Sequence, residues 1–173
     1  YRNNPERMAW YSKMQELMGQ EGITNHGRVG HPELEEIMLS CSVLAYPTHF
    51  SEISYITGMR SQMLGCIPVT IDDFAVAETV QHGIKIKGDI YDQEIKGKYT
   101  KELIDLLLDE ERQTAIREPM IVWAKEKFGW DKIAKKWSES FRVAVSATPP
   151  IKTPQDAVLE PTEGNQEGGG DNG

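Results

Sequence analysis

Two short apolar runs constrain this chain more than any other feature: Ser42–Tyr46 (SVLAY) and Ile67–Ile71 (IPVTI). Neither is long enough to be a helix of ordinary length, and neither alternates apolar with polar residues. Such a run suits a strand buried on both faces, as in a parallel sheet covered by helices. Pro47 stops the first run, because proline cannot donate to a ladder. Between the two lies a stretch from Ser54 to Leu64 that reads as a helix and ends at Gly65.

The same alternation continues on either side. Asn4 to Gln20 reads as a helix, with Pro5 in its first turn and Met8, Tyr11, Met14 and Met18 at helical spacing. Ile23 to Val29 reads as a short strand ending in Gly-Arg-Val-Gly, and Pro32 to Leu39 as a helix with acid in its first turn. Val76 to Gln81 is expected to be a short helix stopped by Gly83, followed by a strand at Ile84–Ile86. Three helical stretches close the pattern, over residues 98–108, 110–126 and 130–143. The last carries Trp130, Ile133, Ala134, Trp137 and Phe141 as one stripe. Strand and helix in alternation, joined by short loops, predict an α/β fold with a Rossmann-like parallel sheet.

Composition narrows the partners. The chain has 173 residues, enough for one domain with a real core. Its 27 acidic and 19 basic residues give a net charge of −8, which argues against a nucleic-acid backbone as main partner. No apolar run approaches the roughly 20 residues that span a bilayer. Cys41 and Cys66 are too few for a disulfide framework, so a reducing cytoplasm is the default expectation. Residues 1–145 read as one domain. Residues 146–173, rich in Pro and Gly, carry five acids against Lys152 and no aromatic residue, so they are expected to be a disordered tail. That tail reads either as a solvated terminus or as an acidic interaction arm. The first residue is Tyr1, not Met, and the expectation is of a piece of a longer chain.

The loop after SVLAY is the place to look for chemistry, since ligands of open parallel sheets sit beyond the carboxyl ends of the strands. Thr48, His49, Ser51, Glu52 and Ser54 offer polar side chains there, ahead of the unpaired amides of a helix start. Glu52 could accept hydrogen bonds from ligand hydroxyls. The alternative is that Ser51 or Glu52 merely caps the helix.

The stretch PTHFSEISYITGMRSQMLGCIPVTIDDFAVAETVQHGI resembles the nucleotide-sugar-binding region of glycosyltransferase family 4 enzymes of the GT-B fold. HGRVGHPELEEIMLSCSVLAYPT upstream is similar to that family's Gly-X-Val turn, helix and strand. WAKEKFGWDKIAKKW is similar to its closing Trp-containing helix. The resemblance covers roughly residues 22–141, and it implies the C-terminal half of a GT-B fold, truncated at its N-terminus. It further implies that Glu52, as the catalytic-site acid, binds hydroxyls of the donor sugar. By the same resemblance the amides of Ser54, Tyr55 and Ile56 face sugar and diphosphate, and the Gly27–Val29 turn lies near the base. The implied ligand is a nucleotide diphosphate sugar, with no further cofactor and no metal. The implied partner is an N-terminal acceptor domain, without which the piece is expected to be inactive.

One position departs from the pattern. The family has a second Glu eight residues after the first, where it binds ribose hydroxyls; here that position is Arg60. Arginine has only donors, so it either reaches a ribose oxygen or phosphate, or leaves a degenerate site. The rival function is therefore a non-catalytic sugar-nucleotide or carbohydrate-binding module. A dinucleotide oxidoreductase lacks its G-x-G-x-x-G signature. Cys66 is expected to be a buried small hydrophobe, and Leu103, Ile104, Leu106, Leu107 and Leu108 to be core. Lys125, Lys127, Lys132, Lys135 and Lys136 read as a solvated face, with peripheral membrane or phosphate contact as the alternative.

Overall fold

A computed structural model of the chain describes residues 4–147. The tail expectation for residues 148–173 lies outside the described residues, and so do residues 1–3. The chain divides into two compact units at Gly129 and Trp130, inside the span read as one domain.

The first unit is α/β. Its helix α1 (Pro5–Met18) starts where the Asn4 side-chain oxygen accepts the Glu6 and Arg7 amides at 2.9 and 3.2 Å. Helix α2 is His31–Ser40, strand β1 is Val43–Tyr46, helix α3 is Ile56–Leu64 and strand β2 is Ile67–Ile71. Then follow α4 (Phe74–Thr79), β3 (Ile84–Ile86), α5 (Gln93–Leu107) and α6 (Glu110–Phe128). The three strands pair in the order β1-β2-β3, all parallel, with Val43 beside Ile67 and Val69 beside Ile84. The parallel pairing is the one that the two apolar runs predict. The second unit contains helix α7 (Trp130–Ala147), which includes Ser146 and Ala147 of the expected tail and whose residues are none of them buried.

The core sits on the central strand. All five residues of β2 are buried, and Ile67, Val69 and Ile71 pack with Ile86, Tyr99, Leu106 and Met120. The Tyr99 hydroxyl donates to the Val69 carbonyl at 2.9 Å, so a phenol from α5 is satisfied inside the sheet. Cys66 is buried, as expected for a small hydrophobe, and burial pushes its thiol up to about 12. Gln113 and Arg117 tie α6 down: Gln113 donates to the Leu106 carbonyl at 2.9 Å, and Arg117 Nε to the Gly65 carbonyl at 3.0 Å. Gly65 closes α3 at φ +84, a left-handed conformation that glycine takes without strain.

Several local expectations are corrected. No strand forms over 23–29. The Asn25 side chain accepts the Gly27 amide at 2.9 Å, and Gly27 takes φ +64, so the chain turns instead of extending. β1 is not buried on both faces: Ala45 is exposed and its neighbours are half-buried, because β1 lies at the edge of the sheet. α4 starts two residues before Val76, and α5 starts at Gln93 rather than 98, where the Asp92 side chain accepts the Glu94 amide. Of the leucine-rich cluster, Leu106 is buried and Leu103 packs against it, whereas Ile104, Leu107 and Leu108 are exposed.

Candidate functional site

β1 delivers Tyr46 to its carboxyl end, and a long loop then runs from Pro47 to Tyr55 before α3 begins. Local contacts shape that loop. The Thr48 amide bonds the Tyr46 carbonyl at 2.9 Å, the Phe50 amide bonds Thr48 Oγ1 at 3.0 Å, and the Glu52 amide bonds the Phe50 carbonyl at 2.8 Å. The Glu52 carbonyl in turn accepts the Ala75 amide from α4 at 3.1 Å, which pins the loop to the next crossing.

Glu52 does not cap α3. Its carboxylate accepts the Tyr46 hydroxyl at 2.6 Å, a charge-assisted bond across the turn. That bond, more than burial, raises the Tyr46 phenol above its ordinary 10.0. The Tyr46 ring stacks on Tyr55, with centroids 4.8 Å apart and planes within 17°. Tyr55 is buried, burial raises its phenol further still, and its hydroxyl has no partner among the described residues. Gly58 makes the stack possible: a Cβ there would land in the Tyr55 ring.

Neither Ser51 nor Glu52 closes the amino end of α3. The N-cap is Tyr55, with no side-chain bond to the helix. The amide of Ile56, one of the three expected to face a ligand, is turned to the Ser54 carbonyl at 3.1 Å. The open amides of the first turn are instead those of Thr57 and Gly58, which have no hydrogen-bond partner among the described residues.

The remaining site residues fall into separate places. Arg60, in the middle of the same helix, contacts His31 Nδ1 at 2.8 Å through its guanidinium. Because arginine only donates, the imidazole accepts there and carries any proton on Nε2. This brings Arg60 to the first turn of α2, immediately after the Gly27–Val29 turn; Gly27 is exposed and Val29 half-buried. Thr48 and His49 line a cleft of about 830 Å³ between the loop after β1 and the start of α5. Ser54 lines a different cleft of about 560 Å³, with Glu78, Trp123 and Lys127. Glu52, Tyr46 and Tyr55 therefore form one cluster and Arg60 with His31 a second. The sequence-expected residues do not converge on a single cavity.

Sequence reasoning missed Tyr46, Tyr55 as a side chain, and His31. Tyr46 was legible as the last residue of a strand, where side chains reach the ligand end of the sheet. Gly58, three residues after Tyr55, was a signal that something large lies on the first turn. Among the described residues no group of His, Cys, Asp and Glu is arranged to hold a metal ion. Among them, too, no helix is long and apolar enough to cross a membrane.

A scan of the chain against protein-family models gives no match, and a search of curated proteins gives none.

Proposed function

We propose that this chain carries the donor-binding face of a glycosyltransferase that uses a nucleotide diphosphate sugar. The observation that supports this reading is the corner after β1. There a half-buried carboxylate is held by a tyrosine hydroxyl beside the uncapped amino end of a helix, beyond the carboxyl end of a parallel strand. The two halves of that corner suit the two halves of such a donor. Glu52 keeps acceptor capacity after its bond to Tyr46 and takes hydroxyls of the sugar. The open amides and positive dipole end of α3 take the diphosphate, and stabilise the charge that grows on it as the glycosidic bond breaks. The acceptor is supplied by an N-terminal domain in this reading.

Calorimetry of the full-length protein against a panel of nucleotide diphosphate sugars tests it. Binding and turnover of one donor, both abolished by Glu52→Ala, are expected. Absence of binding to every donor, in the wild type and in Arg60→Glu alike, would sink the proposal.

The Arg60–His31 contact favours a second reading, a sugar-nucleotide-binding module without transferase activity, since no carboxylate stands at that position to receive ribose hydroxyls. Donor binding without turnover in the full-length protein selects it.

A further inference from the structure

The cleft between the loop after β1 and α5 is lined by Thr48 and His49 but not by Glu52 or the first turn of α3, and it has the lining of a ligand site of its own. Phe50 and Tyr91 stand on it with 69% and 68% of their surface open, which leaves ring area for a ligand to cover. His49 meets the Tyr91 ring edge-on, with centroids 5.3 Å apart, and stiffens that wall. Thr48 and Thr100 line the same cleft. Thr48 Oγ1 accepts the Phe50 amide at 3.0 Å.

Charge decides the rest. Asp89 is not part of the cleft lining; its Oδ1 accepts the Tyr91 amide at 2.9 Å and lies 3.6 Å from His49 Nδ1. Lys96 lines the cleft from the first turns of α5, where the helix dipole adds positive potential. Among the described residues it has no carboxylate partner. The cleft lining thus combines aromatic rings, two threonines and one lysine without a carboxylate partner among the described residues. A flat aromatic ligand would use the rings and strand the hydroxyls. A sugar ring uses both, because it has an apolar C–H face and a polar rim.

We infer that this cleft binds an acidic sugar residue, with the ring on Phe50 and Tyr91 and the carboxylate or phosphate at Lys96. The inference stands apart from the donor site and goes beyond it.

The experiment is calorimetry of the full chain at low ionic strength with a hexuronic-acid disaccharide and its carboxyl-reduced neutral counterpart. The acidic sugar is expected to bind about three- to fivefold more tightly, the upper part of the range for one exposed ion pair. Lys96→Gln erases that preference and leaves the neutral sugar unchanged. Tyr91→Ala weakens both sugars about tenfold. Neither variant alters binding of nucleotide diphosphate sugars, so a failure of the donor reading leaves this result standing. Equal binding of the two sugars, a preference that survives in Lys96→Gln, or no binding of either overturns the inference.

Discussion

Two neighbouring crossings of this sheet solve the same problem in opposite ways. Both lead from the carboxyl end of a parallel strand to a helix. From β2 to α4 the chain spends only Asp72 and Asp73, and the Asp73 side chain accepts the Phe74 amide at 2.9 Å. From β1 to α3 it runs from Pro47 to Tyr55, leaves Phe50 and Ile53 open to solvent, and gives the helix no side-chain cap. The first crossing caps its helix with its own side chain. The second leaves amides and a carboxylate with capacity to spare, and it is there that a ligand has something to gain. Gln62 joins the two: its amide donates to the Gly58 carbonyl in α3 at 2.9 Å and to the Thr79 carbonyl at the end of α4 at 3.0 Å.

The largest effect on this contrast is expected from Gly58→Ala. The added methyl collides with the Tyr55 ring, so the β1–α3 corner must open, at about 3 kcal/mol in urea denaturation. A variant as stable as wild type would show that the tyrosine stack does not depend on the glycine. Gln62→Leu comes next. It strands the Thr79 carbonyl inside the protein and removes the acceptor of the Gln81 amide, and about 2 kcal/mol is expected. If both crossings are coupled through Gln62, hydrogen exchange quickens at α4 as well as at α3.

Tyr46→Phe removes the hydroxyl that holds Glu52, for about 1 kcal/mol at neutral pH. The pH dependence has a definite sign. A phenol whose folded pKa is raised stays protonated in the native state while the unfolded chain ionises near 10.0, so the native state binds more protons there. Stability is therefore lost as pH rises from about 10 through the folded value, and Tyr46→Phe should flatten that alkaline slope. An unchanged slope would assign it to Tyr55, Tyr99 and Cys66, whose values burial raises in the same direction. Asp73→Ala has the smallest effect, about half a kcal/mol, because its carboxylate serves only the first amide of a short helix. A loss larger than that of Tyr46→Phe would reverse the ranking of the two crossings.

What could be read from the sequence follows from what each residue answers to. β2 was legible because all five of its residues answer to one demand, burial on both faces. β1 was legible as a strand but not as an edge, since the composition of four residues does not say how many neighbours they pair with. The turn at Asn25–Gly27 was hidden by the apolar Ile23 and Val29 on either side, although an Asx turn before glycine competes well with a strand. At the site, position alone pointed to the loop after β1, and the family resemblance, not local sequence, singled out Glu52 within it. Its partner Tyr46 was missed, because a hydrogen bond between a strand end and a loop depends on the path of the loop between them. Arg60 was singled out for standing where an acid was expected, and its contact with His31 spans 29 positions that no local pattern connects.

The edge position of β1 carries a consequence for handling the protein. On one side β1 pairs with β2; on the other, among the described residues, no strand pairs with it, and Ala45 is open. Main-chain groups in that condition template the addition of a further strand, from a neighbouring molecule if none is supplied within the chain. Preparations of this sheet should therefore self-associate with rising concentration, and a lysine in place of Ala45 should delay it.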